Sequence, residues 1–346
     1  MQMLVTGGAG FIGSNFIHYI LKKHKTTKII NYDKLTYAGN LQNLKDIEGN
    51  PNYFFIKGDI CDKNKLNSVF AEYSPDYVVN FAAESHVDKS IQNPEEFVKT
   101  NILGVQSLLQ TSLDNDVKLF IQISTDEVYG SLGDIGTFAE KNPLAPSSPY
   151  AASKASADLL ARAYHKTYSL PVIITRCSNN YGPCQFPEKL IPLTILNLLN
   201  KEKVPVYGDG LNIRDWLYVE DHCSAIDAVM QRGVTGEVYN IGGNNEKTNL
   251  EIVKTIISII SEKLSYHGIL ESFISYVEDR KGHDRRYAID SSKLQKELGW
   301  EPVVSFEEGI NKTVNWYLNN QAWLNSIITG DYLNHYNILE ENNQFL

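Results

Sequence analysis

The chain has 346 residues and a formal net charge of −9 at pH 7, with 42% hydrophobic and 21% charged residues. This composition is typical of a globular protein with a large core, and the acidic balance argues against a nucleic-acid binder or a polybasic membrane-surface protein. No apolar stretch approaches the roughly 18 residues of a transmembrane helix, and the N-terminus lacks a signal peptide's charged segment. The four cysteines show no C-x-x-C spacing, so we expect unpaired thiols in a cytoplasmic protein.

The first half of the chain alternates short β-branched or aromatic runs with helical patterns. The predicted strands are Met3–Thr6, Lys28–Asp33, Tyr53–Lys57, Tyr77–Phe81, Leu119–Ser124 and Val172–Arg176. Several are apolar almost throughout, as expected of parallel strands that are covered on both faces. Apolar spacing predicts helices over residues 13–25 and 94–113. This alternation predicts an α/β fold with a doubly wound parallel sheet of the Rossmann type.

The second half is more irregular, with four prolines between residues 179 and 212. Residues 237–241 are predicted to return to the sheet, and two amphipathic helices are predicted over 249–264 and 305–320. We therefore expect a sheet domain made of residues 1–178 plus about 213–243. A smaller interleaved α/β domain is expected from about 179–212 plus 244–330, with a polar C-terminal tail over 331–346.

A glycine-rich turn follows the first strand. Gly7 makes the tight turn, Gly10 lets the backbone approach a pyrophosphate, and Gly13 lets the next helix pack on the strand. The N–H groups at that helix N-terminus favour the negative charge. Asp33 ends the second strand 20 residues beyond Gly13, where a carboxylate accepts hydrogen bonds from both ribose hydroxyls and repels a 2′-phosphate. The sequence therefore predicts a site for NAD rather than NADP.

The ends of the third and fourth strands fit the same cofactor site. Asp59 is expected to bind the adenine amino group, and Ile60 is expected to pack on the ring. Ala82 and Ala83 end the fourth strand with small side chains that leave room for the cofactor.

Tyr150 and Lys154 lie four residues apart at the start of a helical stretch, and residues at this spacing share one helical face. An ammonium group near a phenol stabilises the phenolate, so we expect Lys154 to lower the pKa of Tyr150 and make it a base near neutral pH. This spacing alone is common on solvated helices. It indicates a catalytic pair here because a nucleotide-binding pattern precedes it in the chain.

The glycine turn, Asp33, the strand-end Ser124 and the Tyr150/Lys154 pair together resemble the extended short-chain dehydrogenase/reductases that act on nucleotide sugars. The resemblance covers nearly the whole chain and implies a hydride-transfer triad of Thr125, Tyr150 and Lys154. It also implies a tightly bound NAD that is regenerated in each turnover. The cofactor contacts implied in this way are Gly7, Gly10, Phe11, Ile12, Gly13, Asp33, Lys34, Leu35, Thr36, Asp59, Ile60, Phe81, Ala82, Ala83, Thr100, Tyr150, Lys154 and Asn180.

Two adjacent acids, Asp126 and Glu127, follow Thr125 just past the fifth strand, at the carboxyl edge where ligands bind. This segment resembles the dTDP-glucose 4,6-dehydratases, whereas related epimerases typically have small residues in place of the acid pair. UDP-glucuronate decarboxylases and GDP-mannose dehydratases resemble each other in having a Ser-Glu pair at this position. The resemblance implies conversion of dTDP-glucose to dTDP-4-keto-6-deoxyglucose and water, in deoxysugar biosynthesis of the dTDP-rhamnose type.

The chemistry explains the need for two acids. The hydrogen at C5 of a hexose becomes acidic once C4 is a ketone, because the carbanion is then an enolate. We hypothesise that Tyr150 takes the 4-hydroxyl proton while the C4 hydride moves to NAD+, and that Glu127 then removes the C5 proton. Asp126, held protonated, donates to the departing 6-hydroxyl, and the hydride returns to C6. Neighbouring carboxyl groups in different environments can be tuned apart in this way.

The same resemblance implies a set of sugar-nucleotide contacts. Arginine forks match phosphate geometry, and Arg280 lies in a stretch with four cations and two anions among nine residues, 279–287. A run of charges is otherwise usually a solvated face. The implied substrate contacts are Ser85, Thr125, Asn179, Lys189, Leu190, Pro205, Val206, Tyr207, Arg214, Asn249, Asp279, Arg280 and His283.

Other functions stay open at this point. Another NAD-dependent nucleotide-sugar enzyme, such as a UDP-sugar decarboxylase or a 4-epimerase, would use the same scaffold. A non-catalytic NAD-binding protein would need a broken triad, and the triad residues are all present. No His/Cys/Asp cluster has metal-ligand spacing, so no metal is expected. The resemblance further implies a homodimer formed by helices near 100–113 and 150–168.

Overall fold

The computed structural model of the chain describes residues 1–265 and 270–331. Helices cover both faces of a central sheet, and two smaller sheets lie beside it. The strands are β1 (Gln2–Thr6), β2 (Lys28–Asp33), β3 (Tyr53–Lys57), β4 (Tyr77–Asn80), β5 (Leu119–Thr125), β6 (Val172–Cys177), β7 (Asn179–Tyr181), β8 (Val204–Tyr207), β9 (Ile213–Tyr218), β10 (Val238–Ile241), β11 (Glu246–Thr248) and β12 (Ile274–Val277).

The helices alternate with these strands through the first half of the chain. They are α1 (Phe11–Lys23), α2 (Lys63–Tyr73), α3 (Val87–Gln92), α4 (Pro94–Val98), α5 (Val105–Asp114), α6 (Pro149–Tyr168), α7 (Leu190–Leu199), α8 (Val219–Arg232), α9 (Asn249–Lys263), α10 (Ser292–Leu298), α11 (Phe306–Asn319) and α12 (Gln321–Thr329). Short 3₁₀ turns cover Leu41–Ile47, Asp126–Tyr129 and Leu270–Phe273.

The central sheet has seven strands in the order β10-β6-β5-β4-β1-β2-β3, and every pair in it is parallel. The chain crosses from β3 to the far side of β1 when it enters β4. This reversal opens a crevice at the carboxyl ends of β1 and β4, which is where doubly wound folds bind ligands. The predicted Rossmann fold is confirmed, with each predicted strand present within one residue of its predicted ends.

The sheet is hydrophobic on both faces because helices cover both. One apolar cluster packs α1 and α8 on one face, and a second packs α2, α5 and α6 on the other. The central strand β5 is buried along its entire length. Parallel strands buried on both faces are read as continuous apolar runs, which is why the sequence pattern located them.

A third apolar cluster lies outside the central sheet, among α7, α9, α11 and α12. Beside it, β9 pairs with β7 and β11, and β8 pairs with β12. The division into two interleaved domains stays a prediction, and the predicted tail lies, apart from Asp331, outside the described residues. Within the part of the chain that the structure describes, no helix is both long enough and apolar enough to span a membrane.

The helix predicted over residues 94–113 is not a regular α-helix. It contains a π-helical segment, Lys99–Gly104, between α4 and α5. The side chain of Asn101 accepts from the Glu84 amide at 2.9 Å and donates to the Glu84 carbonyl at 2.9 Å and to the Ser153 hydroxyl at 2.8 Å. These bonds anchor the loop after β4 to α6, and π segments of this kind often mark functional sites.

Replacement of Phe120 tests how far stability depends on the central strand. Phe120 lies in β5 with no exposed surface, so Phe120→Ala should lower the free energy of unfolding by about 3–5 kcal/mol. Urea unfolding followed by circular dichroism measures this. Ile135, which is 87% exposed, is the control, and Ile135→Ala should change stability little. Equal effects of the two substitutions would contradict the burial assigned to β5.

Candidate active site

The glycine-rich turn joins β1 to α1 at the carboxyl edge of the central sheet. Gly7 has a φ of +68°, and a Cβ atom there would lie 2.6 Å from the Ala82 nitrogen. A Cβ atom at Gly13 would lie 2.4 Å from the Gly7 carbonyl oxygen. Only glycine fits both positions. No side chain caps the first turn of α1, so its N–H groups stay available to an anion.

Asp33 ties the glycine turn to the loop that follows β2. Its Oδ2 accepts from the Ala9 amide at 2.9 Å, and its Oδ1 accepts from the Leu35 amide at 2.8 Å. Burial raises the pKa of Asp33, and these two hydrogen bonds oppose that shift. The carboxylate therefore sits at the edge of the cleft in a fixed orientation.

A cleft of about 670 Å³ runs from the glycine turn to the small sheets. Every residue predicted to bind NAD lines it except Leu35, and every residue predicted to bind substrate lines it except Val206 and Asp279. Val206 points into the third apolar cluster because alternate residues of β8 face opposite sides. Asp279 instead accepts hydrogen bonds from the Arg280 amide and the His283 ring, so it holds two cleft residues from behind.

Tyr150 and Lys154 face the cleft from the first turns of α6. Ser148 caps this helix by accepting from the Ala151 amide at 3.1 Å. Lys154 is buried, and its Nζ donates to the Ile123 carbonyl of β5 at 2.6 Å. Tyr150 is also buried, and it lines the cleft together with Thr125. The three residues of the predicted triad thus lie together at the end of β5.

The expected pKa shift of Tyr150 is wrong in direction. Burial raises the pKa of Tyr150 well above its ordinary value of 10.0, and the Glu127 charge raises it further, while the nearby Thr125 side chain opposes the shift. Burial also lowers the pKa of Lys154. The Lys154 ammonium is directed at the β5 backbone, so desolvation of the phenol outweighs its influence.

Asp126 and Glu127 occupy the 3₁₀ turn that follows β5. Asp126 is 2% exposed; its Oδ1 accepts from the Thr125 hydroxyl at 3.3 Å, and its Oδ2 has no hydrogen-bond partner in the protein. Burial raises the pKa of Asp126 well above its ordinary value of 3.8, and the charges of Glu127 and Asp215 act in the same direction. Asp126 is therefore the better placed of the two to hold a proton.

Glu127 has a different set of neighbours. Burial raises its pKa too, but the cations Lys189, Arg214 and Arg280 oppose that shift. Arg214 acts on both carboxyl groups, but anions have the stronger influence on the pKa of Asp126 and cations have the stronger influence on the pKa of Glu127. A protonated acid beside an ionised base is the arrangement that an elimination of water needs.

Comparisons with known proteins indicate a nucleotide-sugar dehydratase. Residues 4–313 match the family model described as GDP-mannose 4,6 dehydratase. A dTDP-glucose 4,6-dehydratase of Xanthomonas campestris pv. campestris is 52% identical over 340 residues, which is 95% of this chain and 96% of the relative. The chain belongs to the dTDP-glucose 4,6-dehydratase family.

Solved structures of this family have the same fold. The dTDP-glucose 4,6-dehydratase of Bacillus anthracis in complex with NAD matches with a TM-score of 0.87 and 54% identity, covering 94% of this chain and 99% of that chain. The Streptomyces venezuelae dTDP-glucose 4,6-dehydratase with NAD and TYD bound matches with a TM-score of 0.88 and 48% identity, covering 93% and 98%.

In this member of the family, three cations gather at the far end of the cleft. Arg214 is buried; its Nη2 donates to the Asp284 carbonyl at 2.9 Å, and its guanidinium lies 4.3 Å from the centre of the Tyr287 ring. Lys189 donates to the Ser85 carbonyl at 2.8 Å. Arg280 lies 3.5 Å from an Asp88 oxygen and 5.1 Å from the centre of the Tyr207 ring.

Sequence reasoning missed several residues that line the cleft. Glu188 accepts from the Tyr37 hydroxyl at 3.0 Å and lies 3.5–3.6 Å from the nitrogens of His86 and Lys89, so it joins three loops at the cleft. Other missed lining residues include Ser178, Gln185, Phe186, Trp216, Asp284 and Tyr287. Their position in the sequence could have identified most of these residues, because most lie within three residues of a predicted contact.

The pH dependence of stability tests the protonation of Asp126. A carboxyl whose pKa is raised in the fold stabilises the protein below its unfolded pKa, and that stabilisation is lost as the pH rises through the folded pKa. Asp126→Asn should therefore raise Tm over the original chain at pH 8. The gain should shrink as the pH falls and disappear below about pH 4, near the ordinary aspartate pKa.

Thermal unfolding of the purified protein across this pH range measures the effect. The exposed Asp134 is the matched control, and Asp134→Asn should give a small gain or loss that does not follow this pH pattern. A Tm of Asp126→Asn at or below that of the original chain at pH 8 would show that Asp126 is not held in its protonated form by burial.

Proposed function

We propose that this chain is a dTDP-glucose 4,6-dehydratase, an NAD-dependent hydro-lyase that converts dTDP-glucose to dTDP-4-keto-6-deoxyglucose and water. The observation that carries the proposal is the acid pair at the end of β5. Asp126 lies among groups that favour its proton and Glu127 lies among cations, and both line one cleft with Tyr150. Elimination across C5 and C6 needs both forms at the same pH.

The cofactor end of the cleft fits NAD. Side chains at Gly7 and Gly13 would collide with the backbone, so the turn leaves room there for a pyrophosphate. Asp33 would accept hydrogen bonds from the ribose hydroxyls, and the uncapped N–H groups at the N-terminus of α1 would bind the phosphates. Bound NAD+ supplies the hydride acceptor for C4 oxidation and the donor that returns hydride to C6.

The oxidation step requires a proton acceptor at the 4-hydroxyl. We assign this role to the Oη of Tyr150, which lines the cleft together with Thr125 and the acid pair. Burial and Glu127 disfavour the phenolate, so the base form depends on positive charge near the phenol. We assign this charge to Lys154, which lies one helical turn away on α6 and whose ammonium would turn from the Ile123 carbonyl toward the phenol.

The elimination uses the two carboxyl groups in opposite senses. Once C4 is a ketone, a carboxylate oxygen of Glu127 accepts the C5 proton. Asp126 Oδ2, which has no partner in the protein, donates its proton to the departing 6-hydroxyl, and water leaves. The proton is returned to C5 when C6 is reduced, which leaves the 4-keto-6-deoxy sugar.

The cation cluster of Lys189, Arg214 and Arg280 is the proposed site for the substrate diphosphate. Arg214 is held by backbone carbonyl oxygens and a ring rather than by a carboxylate, so its guanidinium keeps its charge available. Arginine binds phosphate oxygens through paired N–H groups. Pro205 and Tyr207 of β8 line the same end and are the proposed contacts of the thymine base.

Two alternatives remain for the test to decide. A 4-epimerase or a UDP-sugar decarboxylase would need oxidation at C4, but neither would need a protonated acid at the 6-hydroxyl. A non-catalytic NAD-binding protein would need neither Tyr150 nor the acid pair. The separate surroundings of Asp126 and Glu127 favour the dehydratase over both.

Substitution of the acid pair should separate oxidation from elimination. The original chain incubated with dTDP-glucose should form dTDP-4-keto-6-deoxyglucose, identified by NMR. Asp126→Asn and Glu127→Gln should lower product formation by about 10²–10⁴-fold, since each removes one proton transfer. C4 oxidation should remain visible as reduced-nicotinamide absorbance.

Asp134→Asn, at an exposed acid in a loop outside the cleft, is the control and should leave product formation unchanged. Dehydration at the original rate in both acid variants would remove Asp126 and Glu127 from the mechanism. An epimerised or decarboxylated product from UDP-sugars, with none from dTDP-glucose, would favour the alternative enzymes.

The chain is also proposed to act as a cytoplasmic homodimer. Exposed apolar side chains support this arrangement: Val98 ends α4, Leu103 lies in the π segment and Leu159 lies on α6, each with between 46% and 57% of its surface exposed. α6 packs against the π segment, so these side chains belong to adjoining elements. Apolar side chains exposed on adjoining elements are available to pack against a second copy of the chain.

A charged substitution should disrupt this dimer. Light scattering of the original chain should give the mass of two copies, and Leu103→Glu combined with Leu159→Glu should give the mass of one. Ile135→Glu, which changes an apolar side chain that is 87% exposed outside these helices, should stay dimeric. A monomer mass for the original chain would exclude the homodimer.

A further inference from the structure

A charged pair is buried behind the catalytic residues. The Nε of Arg176 donates to Asp158 Oδ2 at 2.8 Å, and the two side chains are 1% and 0% exposed. Asp158 lies on α6, one helical turn beyond Lys154. Arg176 lies on β6, next to the strand β5 that ends at Thr125. Neither side chain lines the cleft.

Arg176 also contacts the turn that carries the acid pair. Its Nη1 donates to the hydroxyl of Tyr129 at 2.9 Å, and its guanidinium carbon lies 4.9 Å from the centre of that ring. Tyr129 is the last residue of the turn that begins at Asp126. The Tyr129 hydroxyl donates to Asn240 of β10 at 2.8 Å. One side chain therefore bonds to α6 through one nitrogen and to the acid-bearing turn through another.

Stability alone gives little reason for such a pair. The free energy needed to remove two charges from water offsets much of their mutual attraction. Apolar side chains of similar volume often stabilise a core as well or better. A guanidinium forms hydrogen bonds in fixed directions, because its N–H groups lie in one plane, whereas an apolar side chain has no such directional contacts. Here that plane spans two elements that carry different catalytic groups.

We propose that Arg176 and Asp158 are positioning residues that hold α6, with Tyr150 and Lys154, in register with the turn that carries Asp126 and Glu127. This inference rests on the proposed function. In that reaction one sugar must meet the oxidation groups at C4 and the acid pair at C5 and C6 without leaving the site. The separation of the two sets is then set by the Asp158–Arg176–Tyr129 chain of hydrogen bonds.

The test compares single and double substitutions in the purified holoenzyme. Arg176→Met and Asp158→Leu should each lower Tm, because each leaves one charge buried without its partner. The double variant buries no charge, so its Tm should recover toward that of the original chain. Its kcat on dTDP-glucose should nevertheless stay lower by about a hundredfold with KM nearly unchanged, as expected of misplaced catalytic groups.

A spectroscopic signal gives the second measurement. In stopped flow, reduced-nicotinamide absorbance should persist in the double variant. The oxidised sugar would wait for elimination, because the acid pair is no longer held in place relative to Tyr150 and Lys154. Arg176→Lys should keep a charge beside Asp158 but lose the fork that also reaches Tyr129, so it should show the same persistent absorbance with a smaller loss of Tm. This variant decides the question if the double variant does not fold.

Asp227→Asn is the matched control. Asp227 is a buried carboxylate on α8 that lies 2.8 Å from Lys23 and 2.9 Å from His24, away from the cleft. It should lower Tm without prolonging the reduced-cofactor signal. The inference fails if the double variant, or Arg176→Lys, turns over like the original chain with no persistent absorbance. An original chain that does not convert dTDP-glucose would instead overturn the proposed function and this inference with it.

Discussion

The parallel register of β1, β4, β5 and β6 is the constraint on which the whole site depends. Because these strands run in one direction, the residues that follow them emerge at one edge of the sheet. The glycine turn, the loop of Ser85, the acid pair and Asn179 meet there although they are far apart in the chain. A shift of one strand by one residue would turn its side chains to the opposite face. The many apolar contacts on both faces of the sheet fix that register.

Electrostatics then gives different roles to side chains of the same type. Asp126 and Glu127 are neighbours in the chain, yet anions have the stronger influence on the pKa of the first and cations on the pKa of the second. The cations that favour ionised Glu127 are the same ones proposed to bind the substrate diphosphate. Substrate binding and base strength thus draw on one cluster of charge, in a protein whose overall charge is negative.

The central sheet, the glycine turn and Asp33 were predictable from local patterns, whereas most of the other cleft contacts were predicted from the resemblance to the nucleotide-sugar dehydratases. Buried parallel strands appear as apolar runs, and the glycine turn and Asp33 follow a fixed spacing. The features that could not be predicted depend on how deeply a side chain is buried or on which residues are its neighbours in the folded chain. The spacing of Tyr150 and Lys154 says nothing of how far the phenol is desolvated. Likewise, the pairing of Arg176 with Asp158 has no signature in a sequence where both are ordinary charged residues.

The π segment at Lys99–Gly104 has a geometric consequence for the helix that contains it. A π turn accommodates one more residue than an α turn, so the faces of α4 and α5 are offset from each other. The π segment itself presents Thr100 to the cleft and Asn101 to the loop after β4, while α5 downstream packs its apolar face on α2 and α6. The extra residue of the π turn therefore lets one continuous helical segment direct its polar side chains to the cleft and its apolar side chains to the core.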